Sequence, residues 1–291
     1  MSYFIDDVMQ KIYFRADASA TIGYGHFIRT LALADMLKDD FDCTFFTCHP
    51  TSYQVSEMEK VCPFIPLQEE THSADFLSHL QGDEIVVLDN YFFTTDYQRA
   101  IKQKGCRLVC VDDMHDKHYV ADVVINHTLT DSGLFDVEPY TKLCLGFDWA
   151  LLRRPFIEAV NKLCSCAKRT ESITITFGGV DSFDFTGHYI REAMQLPTVS
   201  QITAVVGDAY QPQKPRVRDR RVSYCSNLTA QQMAELFCAS DWVICSASTV
   251  SLEAIACGAK LAVGWYVDNQ ADYYSLLTST GGVLLLGSIK D

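Results

Sequence analysis

Apolar residues recur along the chain in two rhythms. Ile12 to Phe14 is a short apolar run of the kind that forms a strand. A loop of small and polar residues, Ala18 to Gly25, follows. Then Phe27, Leu31, Ala34 and Leu37 fall at the i, i+4, i+7, i+10 spacing of one helical stripe. The pattern predicts strand, glycine loop, helix. Further strands are predicted at Cys43–Thr47, Phe64–Leu67, Glu84–Asp89, Arg107–Val111, Val120–Asn126 and Lys142–Gly146. Glu84–Asp89 reads as a strand buried on both faces. Helices are predicted at Ser52–Val61, Asp75–Leu80 and Thr94–Lys104, the last stopped by Gly105. The second half repeats this. Ser172–Phe177 reads as a strand, Gly178-Gly179-Val180-Asp181 as a turn and Phe185–Met194 as a helix. Strands follow at Ile202–Val206, Val222–Tyr224, Asp241–Cys245, Lys260–Gly264 and Val283–Leu286, with helices at Ala230–Cys238, Ser248–Cys257 and Gln270–Thr278.

Strand and helix alternation at this spacing builds βαβ units and a parallel sheet. The expected fold class is α/β, with two Rossmann-like domains whose parallel sheets face a cleft. Composition shifts between Pro155 and Glu171, where Lys162, Lys168 and Arg169 mix with small residues. The expected division is therefore an N-terminal domain over 1–156, a linker over 157–170 and a C-terminal domain over 171–291.

The chain has 291 residues, 48% of them apolar, enough for a sizeable core. Its formal charge of −13 argues against nucleic acid or an anionic membrane as partner, both of which call for excess Lys and Arg. A small anionic ligand needs only local donors. Most of the twelve cysteines are scattered, several inside apolar runs, such as Cys43, Cys48, Cys110, Cys144 and Cys245. They read as buried thiols. Cys106/Cys110 and Cys164/Cys166 lack a second pair at zinc spacing. The first ten residues carry Asp6 and Asp7 and no basic start, so no secretory signal is expected. These features imply a cytoplasmic protein with no metal and no cofactor, and we expect a monomer. No apolar run reaches the roughly 20 residues of a membrane span.

The candidate chemistry sits at predicted strand ends, where ligands of open α/β sheets bind. Gly23 and Gly25 let a ligand approach the backbone, and the following helix start offers unpaired N–H groups. His26, at that corner, suits a general base that takes a proton from water or a hydroxyl; it also suits a residue that merely bonds the loop. Asp17 either tunes His26 or caps the loop. Arg15 and Arg29 contact phosphate or pair with surface carboxylates. Asp89, Tyr91, Asp112 and Asp113 point into the ligand crevice or make turns. At Ser246–Glu253, Ser248 is a good N-cap, Thr249 and Glu253 share a helix face, and Glu253 can accept from a ribose diol or lie on the surface. Gly178 and Gly179 make a tight turn. The segment up to Arg221, with two prolines and a basic run, reads as a solvated connection.

Together these pieces resemble the UDP-2,4-diacetamido-2,4,6-trideoxy-β-L-altropyranose hydrolases of pseudaminic acid biosynthesis. The carrying motifs are Arg15-Ala-Asp-Ala-Ser, Ile22-Gly-Tyr-Gly-His26 with Arg29, Leu88-Asp-Asn-Tyr91 and Val111-Asp-Asp113. Further along come Gly146 to Arg153 with Phe156, Phe177-Gly-Gly-Val-Asp181, Ser246 to Glu253 and Asn269-Gln270. The resemblance implies a GT-B-like architecture related to MurG-type glycosyltransferases. It implies metal-independent, inverting hydrolysis at the anomeric carbon, with UDP held mainly by the C-terminal domain. His26 would activate water, with Tyr91 and Asp17 near it. Arg15, Gly23, Gly25, Arg29, Gly178, Gly179, Asp184, Ser248, Thr249, Glu253, Asn269 and Gln270 would bind substrate. The chain departs from the pattern at Asp184, where many relatives have Asn, and at Ala247 and Ser248, where many have glycine. A carboxylate beside a diphosphate weakens binding unless a donor meets it.

Two rival readings remain. A glycosyltransferase would replace water with an acceptor hydroxyl. A nucleotide-sugar-binding protein would keep the ligand and lack turnover.

Overall fold

The computed structural model describes residues 9–18, 23–161, 171–178, 181–207, 210–278 and 281–290. Gly179, the loop residues Ser19 to Ile22 and the cysteines at 164 and 166 lie outside them. The chain divides into two compact units, Met1–Leu151 and Leu152–Asp291.

In the first unit the strands are β1 (Lys11–Ala16), β2 (Asp42–Cys48), β3 (Phe64–Leu67), β4 (Ile85–Asp89), β5 (Arg107–Val111), β6 (His118–Tyr119), β7 (Val123–Asn126), β8 (Asp136–Val137) and β9 (Lys142–Leu145). The helices are α1 (Gly25–Leu37), α2 (Ser52–Met58), α3 (His72–His79) and α4 (Thr95–Gln103). Seven strands form one sheet in the order β3-β2-β1-β4-β5-β7-β9, with every pair parallel. Alternate residues of a strand face opposite sides of a sheet. Ile12, Phe14 and Val87 accordingly join the α1 stripe Phe27, Leu31 and Ala34 in one core. Val86 and Leu88 join Phe46, Phe76 and Ile101 in the other. Phe27 is fully buried, and truncating a core phenylalanine costs roughly 3–5 kcal/mol. Thr51 and Thr94 cap α2 and α4 with their side chains.

The second unit contains α5 (Arg154–Asn161), β10 (Glu171–Thr176), α6 (Phe185–Ala193), β11 (Val199–Val205), β12 (Val222–Cys225), α7 (Ala230–Ala239), β13 (Trp242–Ser246), α8 (Thr249–Ala256), β14 (Lys260–Trp265), α9 (Asn269–Leu277) and β15 (Val283–Ser288). Its sheet runs β12-β11-β10-β13-β14-β15, again all parallel. Both orders are Rossmann-like: successive connections run outward from β1 or β10, then return to its other side. The crevice at such a reversal lies at the carboxyl ends of β1 and β4 in one unit, and of β10 and β13 in the other.

Where the sequence suggested a linker from 157, α5 is helical, and Phe156 and Ala159 pack into the core with Met233 and Phe237 of α7 and Ala254 of α8. The short pair β6 and β8, on the way to β9, was not expected either. Ten cysteines are described, all free; Cys43, Cys110, Cys144 and Cys245 are buried, while Cys48 is half-buried.

Candidate functional site

His26, Arg29 and Thr30 occupy one face of α1, at the i, i+3, i+4 spacing that brings side chains together. That face meets Asp89, the last residue of β4, which is fully buried. His26 Nδ1 lies 2.6 Å from Asp89 Oδ1. Arg29 donates from Nε to Asp89 Oδ2 and from Nη2 to Oδ1, both at 2.6 Å. The Thr30 hydroxyl donates to Oδ2 at 2.8 Å. Burial by itself would raise the Asp89 carboxyl; the Arg29 guanidinium and then His26 outweigh it and hold the group well below the usual carboxylate range. An ionised carboxylate only accepts, so the shared proton sits on His26 Nδ1 and the lone pair is at Nε2.

Arg29 also donates from Nη1 to Asp113 Oδ2 at 3.0 Å. Burial alone works against its charge, but Asp113 and Asp89 together hold it more firmly than in water. Tyr91 stands edge-on to His26, with ring centroids 4.4 Å apart, and its hydroxyl donates to Asp113 Oδ2 at 3.3 Å. The imidazole is more enclosed than the sequence suggested. Only 4% of His26 is exposed, because the Arg29–Asp89 pair covers one side and Tyr91 stands against it. Gly25, beside it, is exposed, and a Cβ there would meet nothing within 4 Å. Gly23 has φ +75°, so its backbone demands glycine.

Asp17 and Arg15 are each other's partners. Arg15 is fully buried and pairs through both Nη atoms with the Asp17 carboxylate. Asp17 also accepts from the Cys48 N–H at 2.7 Å and the Thr47 hydroxyl at 3.2 Å, and its own N–H donates to Asn90 Oδ1 at 2.7 Å. Arg15 Nη2 lies 3.2 Å from His72 Nδ1. The pair thus braces the ends of β1 and β2, with the charges satisfied by each other. Asp112 makes a turn, accepting from the N–H groups of Met114 and His115.

In the second unit, two helix starts border the β10–β13 crevice and differ sharply. At α6, Asp181 accepts from the N–H groups of Phe185 and Thr186 at 3.0 and 2.8 Å. Asp184, 3% exposed and left-handed at φ +57°, accepts from the Gly187 N–H at 3.2 Å and from the Tyr210 hydroxyl at 2.5 Å, with Arg191 at 3.7 Å. The donors of this turn are therefore taken up by the chain's own carboxylates. The Asp184 oxygens thus meet donors of the chain itself, the Gly187 N–H and the Tyr210 hydroxyl. Gly178 makes the preceding turn at φ +83°.

At α8 the position is reversed. Ser248 is the N-cap residue but makes no side-chain cap bond; its hydroxyl turns toward the Ser246 carbonyl at 3.4 Å. The Ser251 N–H is taken by the Ser248 carbonyl at 2.9 Å, while no side chain of the N-cap residue covers the start of the turn at Thr249, where the positive end of the helix dipole suits an anion. Glu253 is 3% exposed, not a surface residue, and receives Arg153 Nε at 2.8 Å and Nη2 at 2.9 Å. Gln270 uses its side-chain oxygen to hold the Tyr266 N–H at 3.1 Å. Asn269 opens α9, and its side chain lies outside the described set.

The structure thus brings His26, Arg29 and Tyr91 together, adds Asp89, Thr30 and Asp113, and leaves Arg15 and Asp17 as a brace. Asp89 was readable only as one of several carboxylates at strand ends. The helical spacing of His26, Arg29 and Thr30 carried a signal that an acidic partner faced them.

Two parallel α/β units of this topology make a GT-B-type fold. Solved structures bear this out: Acinetobacter baumannii MurG matches at TM-score 0.61 and 12% identity, covering 96% of this chain and 86% of that one. Anabaena HepE in complex with UDP-glucose matches at TM-score 0.58 and 15% identity, with the same coverage of 96% and 86%. In sequence, the chain is 24% identical over 282 residues to the UDP-2,4-diacetamido-2,4,6-trideoxy-β-L-altropyranose hydrolase of Campylobacter jejuni, covering 93% of this chain and 97% of that protein. It is also 24% identical over 280 residues to an uncharacterized protein of Methanocaldococcus jannaschii, covering 91% of this chain but only 57% of that longer protein. No family model matches. Among the described residues, no helix is long and apolar enough to cross a membrane.

Proposed function

We propose that this protein is a UDP-sugar hydrolase acting on a deoxy-diacetamido sugar, with His26 Nε2 taking a proton from the water that attacks the anomeric carbon. The observation that carries this reading is the 2.6 Å contact between His26 Nδ1 and buried Asp89, which fixes the tautomer and aims the free lone pair away from the carboxylate. The similarity to the Campylobacter hydrolase supports the substrate class. Two carboxylates, Asp89 and Asp113, face the single guanidinium of Arg29, so the imidazolium formed by proton transfer meets a compensating negative charge.

We assign the base to the first unit and the diphosphate to the uncapped start of α8, where Ser248 and Thr249 would meet it. Their N–H groups stabilise the departing UDP without a metal. Attack by water opposite the leaving group inverts the anomeric centre. Tyr91 and Gly25 flank the base, Gly178 borders the nucleotide, and Glu253, held by Arg153, keeps lone pairs for a ribose diol. Arg15 and Asp17 shape the loop. The freed sugar would feed nonulosonic acid or surface polysaccharide synthesis in the cytoplasm.

A glycosyltransferase reading draws on the fold shared with MurG and HepE. Incubation with UDP-sugars alone separates the two. Release of UDP and free sugar, followed by mass spectrometry, is expected; release only after an acceptor is added rejects the hydrolase.

A further inference from the structure

The Arg29 guanidinium spans two carboxylates, bonding Asp89 through Nε and Nη2 and Asp113 through Nη1. With Asp89 alone, one cation would cancel one anion, and a protonated His26 would face Arg29 Nη2, 3.1 Å from its Nδ1, with no net negative charge to offset it. Asp113 changes that sum. It follows β5, is largely buried, and is tied to the same cluster through the Tyr91 hydroxyl. Its Oδ1 is buried and accepts no hydrogen bond among the described residues, so its charge is poorly screened by other donors.

We propose that Asp113 is a positioning residue that acts through Arg29: it draws the guanidinium's charge away from the His26–Asp89 pair and so supplies the net negative charge against which His26 takes up a proton. The inference rests on the reading of His26 as the base. The ionisable groups around the imidazole are Arg29 and Asp89 at its edge, Tyr91 against its ring, Asp113 behind Arg29, and His127 beyond β7, whose neutral form is favoured by burial and by Arg29. Asp112 lies further along the same strand end, where Lys117 pairs with Asp116 at 2.9 Å.

The test is an NMR titration of isotopically labelled histidine rings in the full chain, with the His26 signal identified by its loss in His26→Gln. In Asp113→Asn the His26 midpoint is expected to fall by about one pH unit, the order produced by losing one nearby opposite charge. Asp113→Glu, which keeps the charge, restores it to within a few tenths. Tyr91→Phe, which removes only the phenol bond, leaves it in place. A merely structural Asp113 would leave the midpoint unmoved, and that result in a folded Asp113→Asn protein overturns the proposal; so does a ring that does not titrate in the wild type. Should Asp113→Asn fail to fold by circular dichroism, Asp113→Ser is read against the same two outcomes. Ring titration needs no substrate, so a shifted midpoint without UDP release would keep this inference and reject the hydrolase.

Discussion

His26 and Asp89 meet across the β1–β4 crevice, imidazole Nδ1 to carboxylate Oδ1 at 2.6 Å, with the carboxylate fully buried. The contact ties a helix start to a strand end and selects one tautomer. Asp89→Asn can still accept a bond, but it can also present its amide N–H to Nδ1 and hold the imidazole in the opposite tautomer. We predict a fall in turnover of at least about 100-fold with the fold kept, measured by UDP release and circular dichroism.

Gly25 opens α1 where a Cβ would touch nothing in the protein. Gly25→Val should therefore leave the melting temperature within a few degrees of wild type. If a ligand passes over this helix start, the same variant raises KM at least about tenfold. An unchanged KM would remove Gly25 from the binding surface.

Much of the fold was legible in the sequence because the apolar rhythm is strong. β3 and β5 fall within their expected limits, and the α1 stripe packs as its spacing implied. α5 escaped because Pro155 and nearby basic residues read as a break. Proline is tolerated in a first turn, where its missing N–H would be unpaired in any case, and Phe156 and Ala159 form the buried face. The pairing of Arg15 with Asp17 was not legible in the sequence. Arg15 lies inside β1 and Asp17 just beyond it, and their mutual pairing depends on β2, whose Thr47 and Cys48 also bond Asp17 and which no local pattern reveals. The inward turn of Asp184 likewise depends on Tyr210, 26 residues away.

The resemblance implies Asn at position 184, where this chain has Asp. Asn is as good an N-cap as Asp. It weakens the bond from the Tyr210 hydroxyl by removing a charge. Asp184→Asn should cost about 1 kcal/mol in urea unfolding, the difference between charged and neutral hydrogen bonds. UDP affinity, measured by calorimetry, should stay within about twofold. A large gain in affinity would put the Asp184 carboxylate beside the diphosphate after all.

His127 links the site to acid stability. Burial first, then the Arg29 charge, push its proton affinity down to about 4 from an ordinary 6.5. Between those values the unfolded chain binds the proton and the folded one does not, so stability rises with pH through this window. The penalty is absent at pH 7 and grows as pH falls, reaching about 3 kcal/mol near pH 4 by linkage. Urea midpoints at pH 7, 5.5 and 4.5 should fall in that order. His127→Asn should flatten the trend; an equal slope in the variant would assign it to other groups.

The direct measurement of the central claim is UDP release from UDP-2,4-diacetamido-2,4,6-trideoxy-β-L-altropyranose by wild type and by His26→Ala, with no acceptor present. Steady release by the wild type is expected, with a loss of at least about 100-fold in a variant that remains folded. Equal rates in the two proteins would contradict the claim.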